Sequence, residues 1–155
     1  MATDTLKAAP DCQIVNSRIV NAPIAVVFQA WTESAHLEKW WGPAGFTNTF
    51  KEFDLRPGGK WRFTMHGPDK GSYENECVFI KVEKPTLIAW YRLSKPLFKI
   101  VASFEEISKE KTKVIFKMLF ETAEECNKLK GFSPGKNEEN LDRLEDELRD
   151  MVKEK

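Results

Sequence analysis

The chain has 155 residues, 41% of them hydrophobic and 31% charged, enough for one domain with a full core. Its 24 basic and 24 acidic residues cancel without a basic run, which argues against nucleic-acid binding, because phosphate recognition needs a concentrated positive patch. No apolar run reaches membrane-span length and residues 1–10 lack a signal-peptide core, so the expected location is cytoplasmic, with no membrane insertion.

Residues 1–11 read as a disordered leader and residues 12–155 as a single domain. Gln13 to Asn21 reads as a strand, and Asn21-Ala22-Pro23 ends it and opens a helix over Ile24 to Trp31, with proline suited to the first turn. Thr32 or Ser34 is placed to cap a second short helix that ends near Trp41. Gly42-Pro43 must stop that helix, since proline lacks an N–H and glycine accepts the backbone angles of a helix end.

Phe46 to Leu55 reads as a strand and Pro57-Gly58-Gly59 as a turn. From Lys60 to His66, Trp61, Phe63 and Met65 alternate with polar residues, the pattern of a half-buried antiparallel strand. Further strands are expected over Ser72 to Glu83, Leu87 to Leu93, Phe98 to Glu105 and Thr112 to Phe120. That makes about seven strands, six of them consecutive with short links, and predicts an antiparallel meander. Glu121 to Lys130 reads as a short helix or loop, and Gly131-Phe132-Ser133-Pro134-Gly135 as an interruption. The last element, Asn137 to Lys153, carries Leu141, Leu144, Leu148 and Met151 on one stripe of an otherwise charged helix. That stripe must dock on the concave face of the sheet.

Catalytic and metal chemistry find little support. His36 and His66 are the only histidines, and no ligand pairing of zinc type accompanies them. There is no Gly-x-Ser-x-Gly elbow, and Gly58-Gly59 is a strand turn and not a phosphate loop. Cys12, Cys77 and Cys126 are odd in number and lack metal spacing, as expected of reduced cysteines. Asp54 and Arg56 read as a surface pair, and Glu74 and Glu76 as water-facing. No catalytic residue, metal ligand or cofactor is assigned.

The order of strand, two short helices, six strands and long helix resembles the helix-grip fold, an α+β fold of the START and birch-pollen-allergen (SRPBCC) superfamily. Particular residues resemble the family named for the activator of heat-shock protein 90 ATPase homologue. They are Asn21-Ala22-Pro23, Val27-Phe28, Ala30-Trp31, His36-Leu37, Trp40-Trp41-Gly42-Pro43, Phe46, Asp54-Leu55-Arg56-Pro57-Gly58-Gly59, Trp61, Phe63, Gly67-Pro68, Lys81-Val82 and Pro85, and the Leu141, Leu144, Leu148 helix. The likeness covers roughly residues 14–150, with Trp-Trp-Gly-Pro and Gly-Gly-x-Trp-x-Phe its most specific parts. Two positions depart from the family pattern: Gly131-Phe132 stands near its Gly-Trp pair, and Glu76-Cys77 replaces a strand glycine.

The resemblance implies a curved sheet wrapped around the last helix, which often leaves space between them. The candidate cavity residues are Trp40, Trp41, Trp61, Phe63, Met65, Tyr73, Phe79, Trp90, Phe104, Phe116, Met118, Phe132, Leu141 and Leu144. A packed core would use the same aromatic stripe, so both readings stand at this point. Trp40 and Trp41 are adjacent and must diverge, one indole to the core and one to the opening. Arg62, His66, Tyr73 and Arg92 are the candidate polar groups. The expected function is non-enzymatic binding of a small hydrophobic or aromatic molecule by burial of apolar surface, with the Gly131–Gly135 segment as hinge. The alternatives are a co-chaperone-like module acting on heat-shock protein 90, and an enzyme using the cavity for cyclase- or hydrolase-type chemistry. A monomer or weak dimer is expected.

Overall fold

The computed structural model describes residues 12–131 and 133–153; the expected leader and the candidate Phe132 lie outside the described residues. β1 (Gln13–Val20) leads into α1 (Ile24–Thr32) and α2 (Ser34–Trp40). Six strands follow: β2 (Thr47–Phe53), β3 (Lys60–His66), β4 (Ser72–Glu83), β5 (Leu87–Arg92), β6 (Lys99–Ser108) and β7 (Lys111–Leu119). α3 (Ala123–Leu129) and α4 (Ser133–Lys153) complete the chain. The seven strands form one antiparallel sheet in the order β1-β7-β6-β5-β4-β3-β2. Consecutive hairpins thus build a meander, and β1 pairs with its last strand, Gln13 opposite Leu119 and Val20 opposite Thr112. This is the expected helix-grip fold, α+β.

The turns fix the strands. A Cβ on Gly59 would lie 2.0 Å from the Asp54 carbonyl oxygen, so only glycine fits that close approach. The bare backbone lets Gly58 N–H donate to Phe79 O and Phe79 N–H donate to Gly59 O, which extends the β3–β4 pairing into the turn. β3 and β4 therefore begin and end where the alternation places them.

Two local expectations are corrected. The N-cap of α2 is Glu33, whose side chain makes no capping bond, and neither Thr32 nor Ser34 takes that place; Thr32 Oγ1 donates back to Phe28 O instead. α4 starts at Ser133, so Pro134 and Gly135 are helical and the interruption expected over Gly131–Gly135 does not extend through them. A proline in the first helical turn loses no hydrogen bond, because the N–H groups there have no partner within the helix. Of the two readings of Glu121 to Lys130, the short helix holds: it is α3, whose N-cap Thr122 accepts from Glu125 N–H.

α4 crosses the concave face. Leu141, Leu144, Leu148 and Met151 are buried there, with Asn137, Asn140 and Glu147 beside them. Arg18 on β1 clamps the helix from outside, donating to Glu138 Oε1 and Asp142 Oδ1 at 2.6 Å and to Glu145 Oε1 at 2.7 Å. One main hydrophobic cluster joins β1, α1, α2, the inner sheet face and α4. All five tryptophans of the chain lie in it. Among the described residues no helix is long and apolar enough to cross a membrane.

Candidate functional site: a cavity under the N-terminal end of α4

The site begins where α2 stops. Trp40 is the last helical residue, Trp41 is already extended, and Gly42 follows at φ +103°, a left-handed conformation suited to glycine. The break in the backbone separates the two indoles. Trp40 is buried and its Nε1–H donates to Ala30 O at 3.0 Å, pinning α2 to α1. Trp41 turns towards the sheet, where its ring stacks on Phe116 with centroids 6.0 Å apart and meets Trp90 edge-on at 5.5 Å.

α4 holds this loop in place. Arg143 donates to the carbonyl oxygens of Lys39, Gly42 and Pro43 at 2.9–3.0 Å and of Trp41 at 3.3 Å. These include the orphan carbonyls at the end of α2, where the helix dipole favours a cation. Asn140 Oδ1 accepts from Gly42 N–H at 3.1 Å. From the sheet side, Asn48 donates to Trp41 O at 2.8 Å.

Between this loop, the sheet and the first turns of α4 lies a cavity of about 140 Å³. Its walls are Trp41 and Gly42, Phe63 on β3, Asn75 and Cys77 on β4, Trp90 on β5, Ile100 on β6, Phe116 and Met118 on β7, and Asn137 and Asn140 on α4, all buried. Pro43, Met65, Arg92 and Phe98 also line it but are only half-buried, so they mark its mouth.

The lining is apolar except at a few points. Asn137 Nδ2 donates to Asn16 Oδ1 at 3.1 Å and contacts the Met118 sulfur at 3.4 Å. Asn75 donates to Tyr73 O and accepts from Arg92. Burial pushes the Cys77 thiol up to about 12, with Glu76 adding to the rise and Arg92 opposing it. Such a thiol stays protonated near neutrality and is a poor nucleophile. Loss of water likewise lowers the proton affinity of the Arg92 guanidinium.

Of the residues proposed from sequence, Trp41, Phe63, Met65, Trp90, Phe116 and Met118 meet at this cavity. Trp40, Trp61, Phe79, Phe104, Leu141 and Leu144 do not line it; they are packed into the core. The reason is crowding. Trp61 stacks on Phe63 at 4.4 Å and also touches Trp41, Phe50, Phe53, Phe79 and Trp90, which leaves no space around it. Tyr73 shares the inward phase of β4 but is 46% exposed, at the end of the strand, where its ring meets Phe46 and its hydroxyl donates to Asp69. Alternation identifies a face; it does not say where the cover over that face ends. Arg62 pairs with Glu52 at 3.7 Å on the outer surface, and His66 Nε2 bonds Thr49 Oγ1 at 2.9 Å. Of the four candidate polar groups, Arg92 alone lines the cavity.

Sequence reasoning missed Asn75, Cys77, Phe98, Ile100, Asn137 and Asn140. Asn137 and Asn140 stand four residues before Leu141 and Leu144, so the buried stripe of α4 continues in asparagine, a signal available in the sequence. Among the described residues no group of three or more His, Cys, Asp or Glu is placed to hold a metal ion.

Solved structures with the same fold include a Nitrosomonas europaea protein, 18% identical, with a TM-score of 0.84 over 94% of this chain and 99% of that one. An Arthrobacter aurescens protein is 19% identical, with a TM-score of 0.83 over 90% of this chain and 87% of the other. A Staphylococcus epidermidis protein is 25% identical, with a TM-score of 0.75 over 90% and 91%. No curated protein sequence matches the chain. The model of the family described as "Activator of Hsp90 ATPase homolog 1-like protein" matches residues 21–149. The chain therefore belongs to that family, whose helix-grip architecture is of a ligand-binding type.

Proposed function

We propose that this domain binds a small, compact, mainly apolar molecule in the cavity beneath the N-terminal end of α4, without transforming it. The supporting observation is the volume of about 140 Å³ walled by Trp41, Phe63, Trp90, Phe116 and Met118. An engineered apolar cavity of about 150 Å³ takes up benzene, and drug-sized pockets run from about 300 Å³ upwards. The expected ligand is thus of single-ring size and not a long-chain lipid. Burial at about 25 cal/mol per Å² of apolar surface drives entry, and the polar groups at the wall set orientation. Binding is favoured over catalysis because the titratable side chains lining the cavity are Cys77, held protonated, and Arg92. A cytosolic setting belongs to this reading and accords with Cys77 and Cys126, both buried and not joined by a disulfide.

Native followed by denaturing mass spectrometry tests it. A small molecule of single-ring size released on denaturation supports the reading. An apo mass that stays unshifted after incubation with aromatic compounds contradicts it.

A second reading, binding to heat-shock protein 90, follows from the family description. Exposed apolar side chains such as Val15 and Ile19 would serve such a role, yet they stand opposite Lys117 and Lys113 on β7, which break up the patch. Co-purification with the chaperone, lost on Val15→Glu and Ile19→Glu, would favour this second reading over the first.

A further inference from the structure

Resting on the cavity reading above, we infer that the ligand is a small apolar carboxylate whose anionic group is held by Arg92 at the mouth. The chain has six arginines. Arg18, Arg56, Arg62 and Arg149 each pair with a carboxylate. Arg143 sits on the carbonyl end of α2, with Asp146 near it. Among the described residues Arg92 has neither arrangement. Its Nε donates to Ser94 O at 2.9 Å, its Nη2 to Lys95 O at 3.3 Å and its Nη1 to Asn75 Oδ1, all neutral acceptors. The guanidinium carbon lies 5.6 Å from the centroid of the Phe98 ring, another neutral neighbour.

A guanidinium carries five N–H donors. The three bonds to Ser94, Lys95 and Asn75 fix the plane of the group and leave two N–H for a ligand. A partly desolvated cation without a counter-ion is costly, and a bound carboxylate would offset that cost while accepting from both remaining donors. The geometry suits a carboxylate better than a phosphate dianion, because among the described residues no second cation lines the cavity. Behind Arg92, at the floor, the lining is aromatic and admits about one ring. The matching chemistry is therefore an amphipathic acid: one ring or a branched chain inside, one carboxylate at the mouth.

Benzoate and its neutral isostere benzamide are the probes, titrated into the full chain with binding read by calorimetry and amide chemical shifts. Benzoate is expected to bind at least about tenfold more tightly than benzamide. Arg92→Gln should abolish that preference by weakening benzoate far more than benzamide, and Arg92→Lys should retain part of it. Equal affinities in the unaltered protein, or a benzoate preference that survives Arg92→Gln, overturn the inference and leave the cavity reading standing. If neither probe binds, both fail. Should Arg92→Gln not fold, as judged by circular dichroism, the benzoate-to-benzamide ratio in the unaltered protein and in Arg92→Lys decides alone: a ratio near one in the unaltered protein overturns the inference, and a preference of about tenfold that weakens in Arg92→Lys supports it.

Discussion

One helix meets one sheet in two different ways. From its third turn onward, α4 presents Leu141, Leu144, Leu148 and Met151 to the core, and all four are buried. In its first turns the same stripe continues as Asn137 and Asn140, and there the cavity lies. Leucines fill space in several directions; asparagines are held by their hydrogen bonds, here to Asn16 and Gly42, and stay where those partners are. The tryptophans straddle the boundary. Trp31 has rings of Trp40, Trp41, Trp90, Phe104 and Phe116 around it, whereas Trp41 and Trp90 have packed core on one side and the cavity on the other. One end is therefore built to be full and the other to keep room.

The largest effect expected from this contrast is at the full end. Trp31→Ala should cost about 3–5 kcal/mol in urea denaturation, while Met65→Ala at the mouth should cost only about 1 kcal/mol. Similar losses at the two positions would erase the distinction. Adding bulk probes it from the other side. Ala30→Leu, beside the Trp40 indole bond, should destabilise by about 1–3 kcal/mol through overpacking. Cys77→Leu, which grows into the cavity, should change stability by less than about 1 kcal/mol and abolish uptake of single-ring compounds.

Arg143→Met removes one donor from each of the Lys39, Trp41, Gly42 and Pro43 carbonyls, of which Trp41 O keeps Asn48 and Pro43 O keeps Phe46 N–H. It should cost about 1–2 kcal/mol, with the loss of order greatest around Gly42 in amide exchange. The smallest effect concerns the clamp on β1. Glu138 is held below the ordinary carboxylate range, first by the hydrogen bond from Asn16 and then by Arg18. A depressed carboxyl contributes stability that is present above its unfolded pKa of about 4.3 and is lost as pH falls through the lower folded value. The stability difference between the unaltered protein and Glu138→Gln should therefore shrink on acidification from pH 7 to about pH 3. A difference that does not change with pH would deny the clamp a charged character.

Much of the fold is legible in the residues themselves. Gly58-Gly59 and the Trp61, Phe63, Met65 alternation delimit β3, and the leucine stripe locates α4, because turn chemistry and periodicity are local properties. The divergence of Trp40 and Trp41 is legible for the same reason: a helix cannot point neighbours the same way, and Gly42 ends it. The place of Trp41 is not, since it is a buried wall of the cavity and does not stand at the opening. The extent of the cavity is not local. Nothing in the alternation of β4 separates Phe79, pressed between Phe53 and Trp61, from Cys77, which faces open space. Nor does it separate either from Tyr73, which runs out beyond the core. Arg92 at the end of β5 gains its position from the Ser94 and Lys95 carbonyls of the following turn, a fold-back that periodicity does not describe.

The most direct measurement is a nuclear magnetic resonance titration of the full chain with toluene, read at backbone amides and tryptophan indoles. Space kept open under the first turns of α4 predicts shifts concentrated at Gly42, Asn75, Cys77, Asn137 and Asn140 and at the indoles of Trp41 and Trp90, with Val20 and Leu148 silent. Spectra that do not change, or changes centred on the outer face of the sheet, would contradict it.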